Sequence, residues 1–262
     1  MKVIAKLAKI KVASVSYLNT IPFIYGLDHS SVSGMIDLRL GNPYKCFQLF
    51  LKNEADVALI PVGSLPLAGE CNILKPHCIG SDGNVGSVFL LSDSPVEHIN
   101  TVYYDFHSLT SNKLVEILCK EHWKIAPSLL FPENYPPKLS EHEAVIAIGD
   151  KAFRMKDEYK FAYDLSGEWK KLTGNAFIFA VWVTKLNLHP EIINGFNEAL
   201  SFGVGNILNS ISYSRPDILS IERTKDYLIN NIIFEMNDSL LKGMEQFLDF
   251  IYPEHQRQIR FV

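Results

Sequence analysis

Between residues 11 and 61 the chain alternates short apolar runs with one stretch of helical spacing, and this order restricts its fold more than any other feature. Residues 11–16 read as a buried strand, 35–40 as a second strand and 55–61 as a third, the last closed by Pro61. Residues 43–53 carry Phe47, Phe50 and Leu51 at the i, i+3, i+4 spacing of a helix that covers a sheet with one apolar stripe. Pro22, after the loop Tyr17-Leu18-Asn19-Thr20-Ile21, suits the first turn of another helix, where its missing N–H costs nothing. Strands separated by helices imply an α/β class with a βαβ beginning.

The rest of the chain predicts a second body. A strand at 85–91 runs into the polar Ser92-Asp93-Ser94-Pro95, read as a crossing. Beyond it, strands are expected at 101–104, near 129–131 and at 144–148, with a helix at 111–122 and a return strand at 176–183. Pro132, Pro136 and Pro137 mark a surface loop. After Lys185 the pattern is helical at 190–210 and 239–251, which should pack back on the first body. The expected division is a discontinuous lobe I, residues 1–92 and 186–262, with lobe II, residues 93–185, inserted in it. Two lobes joined by two crossings are the arrangement of the type II periplasmic-binding-protein-like fold. A ligand there sits in the cleft between lobes, and two crossings restrict motion to a hinge.

The 25 Lys and Arg against 29 Asp and Glu give a net charge of -4, so no global attraction to nucleic acid or an anionic membrane is expected, and the partner should be a small molecule. Lys2, Lys6 and Lys9 interrupt the apolar N-terminus, so no export signal is read there and a cytoplasmic location is expected. No later run reaches the ~20 apolar residues of a membrane span. Cys46, Cys71, Cys78 and Cys119 lack a C-x-x-C pair and read as reduced, buried thiols, with a Cys71, His77, Cys78 metal site as the sharper alternative. Monomer and homodimer both stay open.

Ligands of open α/β sheets bind at the carboxyl ends of the strands. Four loops qualify: Ser16-Tyr17-Leu18-Asn19, Pro61-Val62-Gly63-Ser64, Gly83-Asn84-Val85-Gly86-Ser87 and Ser108-Leu109-Thr110-Ser111-Asn112. The last places hydroxyl and amide groups at a helix start, where free backbone N–H groups can meet a carboxylate. Its plainer reading is a helix cap worth about 1 kcal/mol. Asn19 offers a donor and an acceptor between two apolar segments, or else closes an Asx turn. Asp150 reads as a base or as the N-cap of a helix starting at Lys151. From the residues alone, the reading ends at a cleft for a small anion.

The string Val15-Ser16-Tyr17-Leu18-Asn19-Thr20-Ile21-Pro22-Phe23-Ile24-Tyr25-Gly26-Leu27 resembles the opening motif of the chorismate dehydratases of the futalosine route to menaquinone. The resemblance continues through residues 55–61, 85–92, Asp105, Thr110-Ser111, Ile148-Gly149-Asp150, Asp164-Leu165, Trp169, Thr173-Gly174 and residues 177–182. It implies a hydro-lyase that removes water from chorismate to give 3-((1-carboxyvinyl)oxy)benzoate without metal or organic cofactor. Asn19 and Ser87 would be catalytic. Ser108, Thr110 and Ser111 would hold a carboxylate, with Ser16, Tyr17, Ser64 and Asp150 also toward the substrate. Gly86 and Leu109 stand where arginines are expected. The sibling lyase that makes 1,4-dihydroxy-6-naphthoate fits the opening motif poorly, and a non-catalytic cytoplasmic solute-binding or sensing protein is the alternative of another class.

Overall fold

The computed structural model describes residues 9–252 and 260–262. Lys2 and Lys6, used above to judge the N-terminus, lie outside the described residues. The chain opens with β1 (Ile10–Val15), α1 (Ile21–His29), β2 (Ile36–Gly41), α2 (Pro43–Leu51), β3 (Val57–Pro61) and β4 (Asn72–Ser81). β1 runs parallel to both β2 and β3, the expected βαβ beginning. Pro22 lies in the first turn of α1. α2 starts where the Asn42 side chain accepts the Lys45 N–H at 2.8 Å and Pro43 fills the first turn, and it buries Cys46, Phe47 and Phe50. β4 is a strand that the sequence did not announce, because Lys75 and Pro76 interrupt its apolar pattern, and the strands Phe161–Asp164, Ile233–Glu235 and Arg260–Phe261 further along the chain are likewise unannounced.

A second sheet follows, made by β5 (Val88–Ser92), β6 (Thr101–Tyr103), β7 (Ser128–Leu130), β8 (Glu143–Ile148) and β9 (Phe161–Asp164) in the order β7-β6-β8-β5-β9. Its helices are α3 (Leu109–Ile117), prolonged by a π-helical stretch Leu118–Trp123, then α4 (Asp150–Met155) and α5 (Leu165–Thr173). The chain then returns through β10 (Phe177–Thr184) to α6 (Pro190–Gly205), α7 (Ile207–Ser214) and α8 (Ile221–Asp226), which widens into a π-helical turn Tyr227–Asn231. β11 (Ile233–Glu235), α9 (Asp238–Ile251) and β12 (Arg260–Phe261) complete it. The first sheet has the order β11-β4-β10-β3-β1-β2, with β12 also on β4.

This membership moves the lobe divisions from the expected residues 92 and 185. β5, expected in lobe I, pairs with β8 and β9 in the second sheet. β10, expected in lobe II, lies between β3 and β4 in the first. The crossings are therefore 82–87 and 174–176. A fully buried run has the same apolar pattern whichever sheet it joins, so the pattern cannot assign it.

Two helices of lobe I meet at backbone distance. A Cβ at Gly26 of α1 would overlap the Ala199 carbonyl of α6, and one at Gly203 would overlap that of Pro22. Gly203→Ala should push the helices apart and cost about 1–3 kcal/mol, read as a lower urea midpoint at unchanged slope. Gly205→Ala, two residues on and open to space, should not lower it. At the back of the molecule Trp169 of α5 meets Phe177 of β10 at 5.4 Å and Phe247 of α9 at 6.1 Å between ring centroids, so the inserted lobe is anchored by aromatic packing beside one crossing.

Candidate active site in the cleft

A cavity of about 60 Å³ lies between the two lobes, at the carboxyl ends of β1, β3 and β8. It gathers Tyr17, Asn19, Ser87, Ser108, Thr110 and Ser111 on its polar side, opposite Leu59, Ile79, Val88, Ile148 and Phe179. Three other expected residues do not line it. Ser16 is exposed, with its hydroxyl on the Gly41 carbonyl at 3.3 Å. Ser64 is buried, with its hydroxyl on the Pro61 carbonyl at 2.6 Å. The Asp150 carboxylate accepts the Leu18 N–H at 2.9 Å, and the N-cap of its helix is Gly149, not Asp150. A loop picked out by composition contains inward and outward positions. Here the single 3-10 turn Leu18–Thr20 carries Asn19 to the cavity while Ser16 stays outside.

The start of α3 combines both roles considered for it. Ser108 caps the helix by accepting the Ser111 N–H at 3.2 Å, and its hydroxyl donates to Ser111 Oγ at 2.7 Å. The amides of Leu109 and Thr110, in the first turn, have no intrahelical acceptor, and Ser111 keeps its own hydroxyl proton to offer. Thr110 Oγ1 reaches across the lobes to accept the Gly63 N–H at 3.0 Å. The preceding loop is fixed by the Asn112 side chain, which bonds the N–H and carbonyl of Asp105 at 3.1 and 3.0 Å.

No residue lining the cavity is charged. Lys113 is bound by both Glu116 oxygens at 3.0 and 2.9 Å, Lys151 pairs with the buried Asp105 at 2.5 Å, and Arg154 is exposed. None of them replaces the arginines expected at 86 and 109. Gly86 has φ +76°, a left-handed backbone that glycine adopts freely and an arginine would not. A carboxylate would thus be held by neutral hydroxyl and amide donors.

At the floor of the cavity Asn19 Oδ1 is buried with no hydrogen-bond partner. Close by, Ser87, 1% exposed, accepts a hydrogen bond from the Tyr227 hydroxyl at 2.8 Å. Burial holds the Tyr227 phenol well above its usual range, so it stays a neutral donor. Nothing near Tyr227 in the sequence marks it. It lies 140 residues from Ser87, in a largely polar stretch, and only the fold brings the two together. Tyr17 packs its ring on Gly149, where φ is +59° and a Cβ would collide with it. Burial, reinforced by the charges of Asp105 and Asp150, raises its phenol as well.

The Cys71, His77, Cys78 metal reading fails. His77 and Cys78 are successive residues of β4 and point to opposite faces, and His77 Nε2 lies 3.2 Å from the Asn197 carbonyl and 3.0 Å from Ser201 Oγ. Among the described residues no group of three or more His, Cys, Asp or Glu could hold a metal. Cys46, Cys78 and Cys119 are buried free thiols, each raised chiefly by burial. No helix among the described residues is long and apolar enough to cross a membrane.

Residues 10–253 match a protein family described as menaquinone biosynthesis. The chain belongs to this menaquinone-biosynthesis family. Solved structures show the same fold at low identity. Protein AF1704 from Archaeoglobus fulgidus is 15% identical with a TM-score of 0.74, over 94% of this chain and 97% of that one. The Candida albicans CA3427 product, described as having the generic periplasmic binding protein fold, is 12% identical with a TM-score of 0.62, over 96% and 92%. The alkanesulfonate-binding protein SsuA from Xanthomonas axonopodis pv. citri, bound to MOPS, is 12% identical with a TM-score of 0.63, over 94% and 93%. The two-lobed periplasmic-binding-protein-like fold expected from the sequence is therefore the fold of this family member.

In this member of the menaquinone-biosynthesis family the Asp150 contact joins the lobes while facing away from the cavity. Burial raises the Asp150 carboxyl above the ordinary range, against the Leu18 N–H and Arg154. A carboxyl raised in the folded state contributes stability below its unfolded pKa and loses it as pH rises through the folded pKa. Asp150→Asn keeps an acceptor for Leu18 and removes the buried charge. It should be at least as stable as the parent at pH 7, with the gap narrowing toward pH 4 in urea titrations, and a widening gap would contradict this account.

Proposed function

We propose that this family member is a chorismate dehydratase, a hydro-lyase that converts chorismate to 3-((1-carboxyvinyl)oxy)benzoate. The observation that carries the reading is the Asn19 acceptor, buried and unpartnered, beside the Ser87 hydroxyl in a cavity of neutral donors. A ligand that satisfies both brings a hydroxyl proton for Asn19 Oδ1 and carboxylate oxygens for Ser87 and the start of α3. Chorismate carries both, on one rigid ring.

The chemistry needs little ionisable help from the protein. The hydrogen on the ether-bearing ring carbon is vinylogous to the ring carboxylate, so its removal spreads negative charge into a dienolate. Loss of the neighbouring hydroxyl, which leaves as water with that proton, then completes an aromatic ring. Donors aimed at the ring carboxylate stabilise the charge as it grows, which is the oxyanion-hole principle. With no carboxylate lining the cavity, the substrate's own enolpyruvyl carboxylate is the base in this scheme, and Asp150→Asn should retain turnover. The apolar wall of Leu59, Ile79 and Phe179 faces the ring.

A 60 Å³ cavity is far smaller than the roughly 300 Å³ or more usual for ligand sites, so the lobes part at the two crossings to admit the substrate. The test is to incubate purified protein with chorismate and follow the carboxyvinyloxybenzoate by chromatography. Turnover supports the reading. Tight binding without turnover replaces it with a solute-sensing role, and absence of both rejects chorismate as the ligand.

A further inference from the structure

Tyr227 stands apart from the family's sequence motif yet touches the site. Its hydroxyl is buried, and its single proton goes to Ser87 Oγ at 2.8 Å. A serine that accepts in this way must turn its own proton elsewhere, and the cavity is the open direction. Asn19 lines the same cavity, where its Oδ1 is an unpartnered acceptor. The bond from the phenol thus polarises the Ser87 hydroxyl.

The fold holds this tyrosine in place from three sides. It begins the π-helical turn Tyr227–Asn231, a wide turn of the kind that recurs at functional sites. Asn231 in the same turn donates to the Asn84 carbonyl at 3.0 Å, in the 82–87 crossing. The Tyr227 ring meets Phe153 of α4 edge-on at 4.9 Å, on the inserted lobe. One residue therefore contacts the crossing through Ser87 and the second lobe through Phe153.

We propose that Tyr227 is a positioning residue that fixes Ser87 as a donor toward the substrate. The role rests on the dehydratase reading and acts through Ser87, with no contact to the reacting atoms. Tyr227→Phe keeps the ring and its packing on Phe153 while removing the relayed proton. Released from the phenol, the Ser87 hydroxyl can turn away from the substrate.

The experiment compares the parent, Tyr227→Phe, Ser87→Ala and the double variant on chorismate, below their unfolding midpoints, which are measured alongside. Tyr227→Phe should lower kcat about tenfold, with a smaller change in KM, at a nearly unchanged midpoint. In the Ser87→Ala background the same change should cost little more, because the effect passes through Ser87. Parent activity with an unchanged kcat in Tyr227→Phe overturns the role of Tyr227 alone, as does a loss fully additive with Ser87→Ala. An inactive parent overturns the dehydratase reading, and this role with it.

Discussion

Asn19→Ala should lower kcat for chorismate dehydration by about 10²–10³-fold, the scale on which removal of one preorganised polar group slows charge development. The size follows from the position of the side chain. Its Oδ1 is buried and unpartnered in the cavity, so no other protein group satisfies it. Asn19→Asp is the informative companion. It keeps an acceptor of the same shape but puts a negative charge into a cavity meant for a carboxylate. Binding of the product should therefore weaken more in Asn19→Asp than in Asn19→Ala, measured by calorimetry. Full activity in Asn19→Ala would remove Asn19 from the mechanism.

Asp164→Ala should be the most damaging substitution for the fold, at about 3–5 kcal/mol. The Asp164 carboxylate caps α5 by accepting the N–H groups of Ser166 and Gly167, each at 3.1 Å. It also accepts those of Val85 at 3.1 Å and Gly86 at 2.6 Å, in the 82–87 crossing. One side chain thus ties a helix of the inserted lobe to the strand connection on which that lobe turns, and it places Ser87 one residue further on. Burial lifts its carboxyl above the ordinary range even against four donors. Asp164→Asn should cost less than Asp164→Ala because an amide oxygen can still accept, although its NH2 must then face at least one of the same N–H groups. Equilibrium urea unfolding ranks the three proteins, and equal stability of the alanine variant would discard the idea of a pinned crossing.

Residues 43–51 show what local sequence can decide. Asn42 and Pro43 start a helix, and the spacing of Phe47 and Phe50 chooses its buried face, all within about two turns. The βαβ opening, the return strand and the later helices were legible for the same reason, since each is announced by its own periodicity. Ser108 illustrates the same limit at the site: the hydroxyl-rich helix start was visible as a cap, and the cap is there.

Other features depended on residues far apart in the chain. The apolar run of β5 determined that it would be buried, but only pairing with β8 and β9 determined in which sheet. β4, broken by Lys75 and Pro76, became a strand because β10 and β11 lie on its two edges. At the site, the loops were predictable and the direction of their side chains was not, so Ser16, Ser64 and Asp150 turned to backbone partners while Asn19 and Ser87 met in the cavity. Tyr227 could not be found at all from its neighbours. The sequence by itself determined the α/β class, the two-lobed plan and the polar loops, because periodicity and capping are local. Tertiary structure alone decided where the lobes divide and which donors face the cleft, because those depend on contacts between residues 47 to 140 apart, to which no local pattern is sensitive.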